Sequence, residues 1–214
     1  LQLLGLLSLS EVLITLGIIG IIAVLTVPAV MKNYRNRMYV AQLRKVYSQL
    51  SDAAQAIMND QKAAHFSETT AAAATSCTNA AKGECQAGAG YFLNTYLKLI
   101  KRDCGFGKPN PCAVASYQSI NGVNAGTLAG DYCVQTTNGA AMCMRYSPAN
   151  KIAEINIDVN GPSEPNTTGR DVFWVRISDD GRILDNDNNP NNCSNPGSGG
   201  CLTRIMRAGW KMDY

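Results

Sequence analysis

From Val12 to Met31 the chain runs twenty residues without a charge: VLITLGIIGIIAVLTVPAVM. A helix rises about 1.5 Å per residue, so such a run spans about 30 Å, the thickness of a bilayer core. A segment of this kind belongs in a membrane or inside a dry protein bundle. One ionisable side chain, Glu11, occurs before Lys32. The run is long for a signal peptide, and no A-x-A cleavage site follows it, so a cleaved signal is disfavoured. The plain reading is a signal anchor.

Charge and cysteine content disagree about orientation. No Lys or Arg precedes the run, whereas Lys32, Arg35 and Arg37 follow it. On charge alone the downstream part belongs in the cytoplasm. The chain also has eight cysteines and one histidine, with no CxxC pair and no His-x-x-x-His spacing, which disfavours a zinc ribbon or zincin. An even cysteine count points to four disulfides and an oxidising compartment. The cysteines carry more weight, because a charged leader removed upstream would reconcile the two. The 214 residues suffice for one globular domain plus an extension, and a net charge of +3 is too weak to indicate nucleic-acid binding.

Past the apolar run, the pattern becomes striped. Val40, Leu43, Tyr47, Leu50, Ala54 and Ile57 recur every three or four residues, with Arg44, Lys45, Gln49, Asp52 and Gln55 between them. This is one face of an amphipathic helix. The pattern predicts a single helix from Ser10 to Ala63, roughly 80 Å long. Its weak points are Pro28, Gly17 and Gly20. Three segments follow: an apolar membrane or filament-core helix (1–31), the amphipathic half of the same helix (32–63), and a disulfide-rich head (64–214).

The segment LSLSEVLITLGIIGIIAVLTVPAV resembles the start of type IV pilins and of type II secretion pseudopilins. Leu7, Ser8, Leu9, Ser10 and Glu11 match the family's Phe-Thr-Leu-x-Glu start, and Gly20 and Pro28 fall in matching places. The likeness is strong over residues 1–60 and looser beyond. It departs from the family at Leu6, where members carry the glycine or alanine after which they are cut. Cutting after Gly5 instead would leave Glu11 sixth rather than fifth.

The resemblance implies a non-enzymatic structural subunit. Such a subunit is held in the bacterial inner membrane, processed by a prepilin peptidase, N-methylated, and passed through an assembly platform into a helical homopolymer outside the cell. A carboxylate in hydrocarbon costs about 2.5–3.5 kcal/mol on insertion scales, so Glu11 needs a partner. In a bundle of identical helices, a neighbour's N-terminal ammonium supplies one and sets the axial register. The plain alternative is a glutamate that only marks the end of the span. Helix and lipid contacts are similar in energy, so the helix can pass from bilayer to filament core. The stretch from Gly20 to Pro28 is then the cheapest place to unwind; the alternative is a mild proline kink.

The head reads as α+β: a small antiparallel sheet of three or four strands packed on the second half of the long helix, stapled by disulfides. Residues 64–90 read as a loop with a short helix. GYFLNTYLKLIKRDCG reads as an amphipathic helix burying Phe92, Tyr96, Leu97 and Ile100. GFGKPNP, between Cys104 and Cys112, is turn-forming. DYCVQTTNGAAMCMRY predicts a hairpin around Asn138-Gly139 with a three-residue loop, which puts Cys133 opposite Cys143. KIAEINIDVN and DVFWVRIS read as strands, with Ile155, Ile157 and Val159, then Phe173, Val175 and Ile177, on one face. Eight cysteines allow 105 connectivities. Local spacing pairs each with its next neighbour: Cys77 with Cys85, Cys104 with Cys112, Cys133 with Cys143, and Cys193 with Cys201. IDVNGPSEPNTTGRDVF and CLTRIMRAGWKMDY resemble stretches of a cysteine-rich subset of pilin-like proteins, and Trp210 is expected to pack back on the sheet.

Two acidic stretches bear on metal binding. Asp158, Asn160 and Asp171 are oxygen donors flanking a turn, and some pseudopilins hold calcium in a late loop. Asp185, Asp187 and Asn189 have the spacing of an EF-hand start, but Pro190 stands where glycine is needed and no bidentate glutamate follows. Asx-turns explain both stretches without metal. No GxSxG, P-loop or CxxCH occurs, and the lone His65 is expected to be exposed near the helix end. The resulting expectation is a subunit of an extracellular type IV pilus-like filament. The alternatives are a secretion pseudopilin or, in a different class, a membrane-anchored ectodomain acting alone as a binding module.

Overall fold

The computed structural model describes residues 8–105, 112–195 and 199–214. The expected cleavage position before Leu7, and the GFGKPNP turn apart from Gly105, lie outside those residues. One helix, α1, runs from Leu9 to Asp60 and contains Pro28. It stops before Ala63 because Lys62 takes a left-handed conformation (φ 53°). The Ala63 N–H then turns back to the Met58 carbonyl at 2.9 Å, which satisfies a helix-end acceptor. The chain divides into two compact units, residues 1–38 and 39–214, so the amphipathic half of α1 from Tyr39 on belongs to the head.

Within the head, Tyr39, Val40, Leu43, Val46, Leu50, Ala53, Ala54 and Ile57 of α1 enter the main core. Val46, rather than the half-buried Tyr47, completes the expected stripe. The strands are β1 (Ser76–Asn79), β2 (Glu84–Ala87), β3 (Leu99–Lys101), β4 (Tyr117–Gln118), β5 (Asn124–Gly126), β6 (Tyr132–Thr136), β7 (Ala141–Ser147), β8 (Ile152–Asp158), β9 (Val172–Ile177) and β10 (Ile183–Asp185). Helix α2 spans Gly88–Tyr96 and α3 spans Cys201–Arg207.

The main sheet is larger than expected. It has six strands in the order β10-β9-β8-β7-β6-β3, with β1-β2 and β4-β5 as separate two-stranded pieces. Every pairing in it is antiparallel. Alternation assigns the two faces. Met142, Met144, Ile155, Ile157, Phe173, Val175 and Ile177 join the core shared with α1. On the reverse face, Cys133, Ala141, Cys143 and Val172 join Cys104, Cys112, Tyr117 and Leu128 in a second, smaller core.

The hairpin forms as read. Thr136 and Ala140 close a three-residue loop (N–H to O 2.9 Å), Gly139 takes φ 91°, and Cys133 pairs with Cys143 in register. All four next-neighbour disulfides are present. The Cys77–Cys85 bridge closes the β1–β2 hairpin, where only loop and a short helix were expected.

One further expectation needs correction. The helix read through GYFLNTYLKLIKRDCG ends at Tyr96, and Leu99–Lys101 turns into edge strand β3. There Ile100 is 59% exposed, because a strand places successive side chains on opposite faces. Trp210, expected to pack back on the sheet, packs against the main core that sheet and α1 share. Its ring meets Tyr47 of α1 edge-on at 5.5 Å, with the Arg44 guanidinium 5.6 Å from its centroid.

Candidate functional site

The apolar half of α1 begins with a reciprocal cap. Glu11 Oε2 accepts hydrogen bonds from the Ser8 backbone N–H (2.7 Å) and from Ser8 Oγ (2.8 Å). The Glu11 N–H lies 3.4 Å from Ser8 Oγ. This is a capping box: serine at the cap and glutamate three residues on satisfy each other's orphan donors. The signature Ser-x-x-Glu was readable in LSLSEVL and was missed there. Glu11 therefore has one oxygen engaged within its own chain before any neighbour is considered.

Beyond the cap, the helix between Leu9 and Met31 presents apolar side chains in all directions. Leu9 is 77% exposed, Val24 74%, and Leu13, Leu16, Ile18, Ile21 and Leu25 are likewise exposed. A helix greasy all round is normally buried in lipid or protein. The span meets the length and hydropathy needed to cross a membrane. Its hydroxyls are turned inward: Thr15 Oγ1 donates to the Val12 carbonyl and Thr26 Oγ1 to the Ile22 carbonyl, each at 2.9 Å. That satisfies them without water.

Nothing lies within 4 Å of a Cβ built on Gly17 or Gly20, so the chain's own fold does not require glycine at either place. Pro28 has no N–H to give the Val24 carbonyl, yet the helix is unbroken through it. Unwinding between Gly20 and Pro28 is thus not a property of the isolated chain.

In the head, Asp158 and Asp171 come together where β8 ends and β9 begins, and both are fully buried. Their oxygens are taken by protein donors. Tyr117 Oη donates to Asp158 Oδ2 (2.9 Å) and the Asn160 N–H to Asp158 Oδ1 (3.2 Å). The Asn166 and Thr167 N–H groups donate to Asp171 at 2.8 and 2.7 Å. The Asn160 amide reaches the Ser163 and Glu164 carbonyls. N–H and O–H groups aimed at all four carboxylate oxygens present the wrong polarity to a cation, so these residues do not fit the calcium site expected of Asp158, Asn160 and Asp171. They hold the 159–171 loop to the sheet instead.

Burial raises both carboxyls, Asp158 to about 7 and Asp171 in the same direction. Asp185 is a third such anchor. Its two oxygens accept the Gly200 and Thr203 N–H groups at 2.7 Å each, capping the start of α3. The EF-hand-like spacing after it is a run of Asx-turns: Asp187 Oδ1 accepts the Asn189 N–H and Asn189 Oδ1 the Asn191 N–H.

His65 is exposed and lies 3.5 Å from Asp179, whose Oδ1 also accepts the Ser67 N–H at 3.0 Å. Among the described residues no group of three or more His, Cys, Asp or Glu side chains is arranged to hold a metal. Comparison with family models, with characterised proteins and with solved structures finds no match to this chain. The functional reading therefore rests on the two parts themselves: an apolar helix with a capped acid at its head, and a stapled α+β head that buries its own core.

Proposed function

We propose that the chain is a structural subunit of an extracellular, type IV pilus-like filament, anchored in a membrane by its apolar helix before assembly. The observation that carries this reading is the helix from Leu9 to Met31, exposed on every side and holding one acid at its start. A plain anchor needs neither Glu11 nor Gly20 nor Pro28. A helix that leaves lipid to stack beside copies of itself has uses for all three: the acid for register, the glycine and proline for local unwinding. Four disulfides suit a head that works outside the cell. A secretion pseudopilin would use the same helix, and the surface filament is preferred because the head is sizeable and stapled.

A specific observation favours a second reading. The capping box already engages Glu11 within its own chain, which is what a membrane-anchored head acting alone would show. Shearing surface material from cells and imaging it by negative stain, with mass spectrometry of the fibres, separates the readings. Fibres containing this chain support the filament. The chain found solely in membranes as monomers contradicts it.

A further inference from the structure

The main sheet ends at β10, and a hollow of about 420 Å³ opens beside that strand. It is lined by Tyr47 and Ser51 of α1, by Met206 and Arg207 of α3, and by β10 itself. Its size falls in the roughly 300–1,000 Å³ range of ligand sites.

The pairing with β9 decides where β10 points its backbone. The Ser178 N–H donates to the Arg182 carbonyl (3.0 Å) and the Asn186 N–H to the Trp174 carbonyl (3.1 Å). Bonding in an antiparallel ladder alternates. Leu184 therefore bonds with Arg176, and the N–H and C=O groups of Ile183 and Asp185 point away from β9. None of these four groups is bonded by another described residue. Ile183 and Asp185 are nonetheless only 4% exposed each. Buried backbone groups are nearly always paired, so these four call for a partner from outside the chain.

We propose that β10 accepts a seventh strand: an extended, acidic peptide segment of a partner protein, seated in the hollow. The four groups repeat every two residues, about 7 Å along the edge. Another extended backbone carries its own donors and acceptors at that interval, which is how peptides add to sheet edges. The surroundings favour a single segment over the sheet of a second copy. The opposite edge, β3, holds Lys101 and follows Lys98, basic side chains of the kind that keep sheet edges apart. Strand β10 has no lysine and is flanked by α1 and α3 instead. Charge favours an acidic segment. Among the described residues no carboxylate lies in ion-pair range of Arg207. Asp185, the one carboxylate lining the hollow, has its oxygens taken by the Gly200 and Thr203 N–H groups. Tyr47 and the 39% exposed Met206 offer apolar surface to alternate side chains. The proposal concerns the head alone and needs neither membrane nor filament.

The test titrates the full chain in detergent with the capped heptapeptide SVEVEVS, fluorescently labelled for anisotropy, and follows amide hydrogen exchange by NMR. Without peptide, the Ile183 and Asp185 amides should exchange faster than that of Leu184, which the ladder holds. Bound peptide should slow both roughly ten-fold. Two N-methylated forms of the peptide, one at the valines and one at the glutamates, remove donors from opposite edges. One of them should bind about ten-fold more weakly and the other like the parent. The lysine twin SVKVKVS should bind roughly five-fold more weakly than SVEVEVS, and Arg207→Gln should narrow that gap.

No binding of SVEVEVS at millimolar concentration overturns the proposal. So does binding that leaves exchange at Ile183 and Asp185 unchanged, or that neither methylated form weakens, since water then fills the edge. Equal binding of the glutamate and lysine peptides overturns the acidic partner. Protection that rises with protein concentration in the absence of peptide gives the edge to a second copy and overturns the proposal as well.

Discussion

Leu16 and Leu50 sit in the same helix, yet Leu16 is 60% exposed and Leu50 is fully buried. The difference is what surrounds them. Leu50 belongs to the head, where Val46, Ile57, Ile155 and Phe173 share its core. Leu16 belongs to the first unit, whose described apolar side chains join neither core. The head spends its apolar residues on its own folding. The large apolar side chains of the helix between Leu9 and Met31 stay exposed. The head's stability should therefore respond to substitutions in the second unit and not to those in the first.

The largest effect expected from this contrast is Leu50→Ala, which should lower head stability by about 3–4 kcal/mol through lost burial and a residual cavity. Leu16→Ala should leave the head's melting transition within about 0.5 kcal/mol of wild type. Thermal melts in one detergent compare the two, and equal losses would break the division.

Next in size is Cys133→Ala/Cys143→Ala. The pair is buried and closes a short hairpin, so its removal should cost roughly 2–3 kcal/mol in chemical denaturation of the head.

A smaller effect is expected from pH. Burial raises the Asp158 carboxyl to about 7, above the ordinary unfolded value near 3.9. The native state therefore holds this proton more tightly. The stabilisation it gives is complete below about pH 4 and is lost as pH rises through about 7. Wild type should be less stable at about pH 8 than at about pH 5, by on the order of 2 kcal/mol. Asp158→Asn should flatten that part of the profile, and an unchanged slope would count against the assignment.

The smallest effect is Gly20→Ala, for which there is open space. It should add helix propensity of up to about 1 kcal/mol and leave the head's melt unchanged. If Gly20 serves unwinding, filament yield should fall. An unchanged yield would confine any hinge to Pro28.

Locally encoded features were legible in the sequence. Asn138-Gly139 between two strand-like runs fixed the hairpin and placed Cys133 opposite Cys143. Disulfide separations of eight to ten residues made next-neighbour pairing readable. Non-local features were not. Edge strands β3 and β10 have three residues each, too short to show alternation. Leu97, Leu99 and Ile100 fit a helical spacing as well as a strand, and the pairing with β6 decides between them. Asx-turns were readable at Asp158 and Asp185, but the spacing did not show the donors from distant segments, Tyr117 on Asp158 and Gly200 and Thr203 on Asp185. At the start of α1, Glu11 was legible as an anomaly beside an apolar run, but its partner Ser8 was overlooked.

That partner supplies the most direct test of the central claim. Glu11→Ala and Ser8→Ala each remove the reciprocal cap, but only Glu11→Ala removes the acid available to a neighbour. Each variant, co-expressed with wild type, can be quantified in sheared fibres by mass spectrometry. Incorporation of Glu11→Ala should fall roughly ten-fold or more, as expected for a buried charge partner. Ser8→Ala should lose little, as expected for a cap alone. Equal incorporation of Glu11→Ala and wild type, or equal loss in the two variants, would contradict a register-setting acid and leave Glu11 as the end of a membrane anchor.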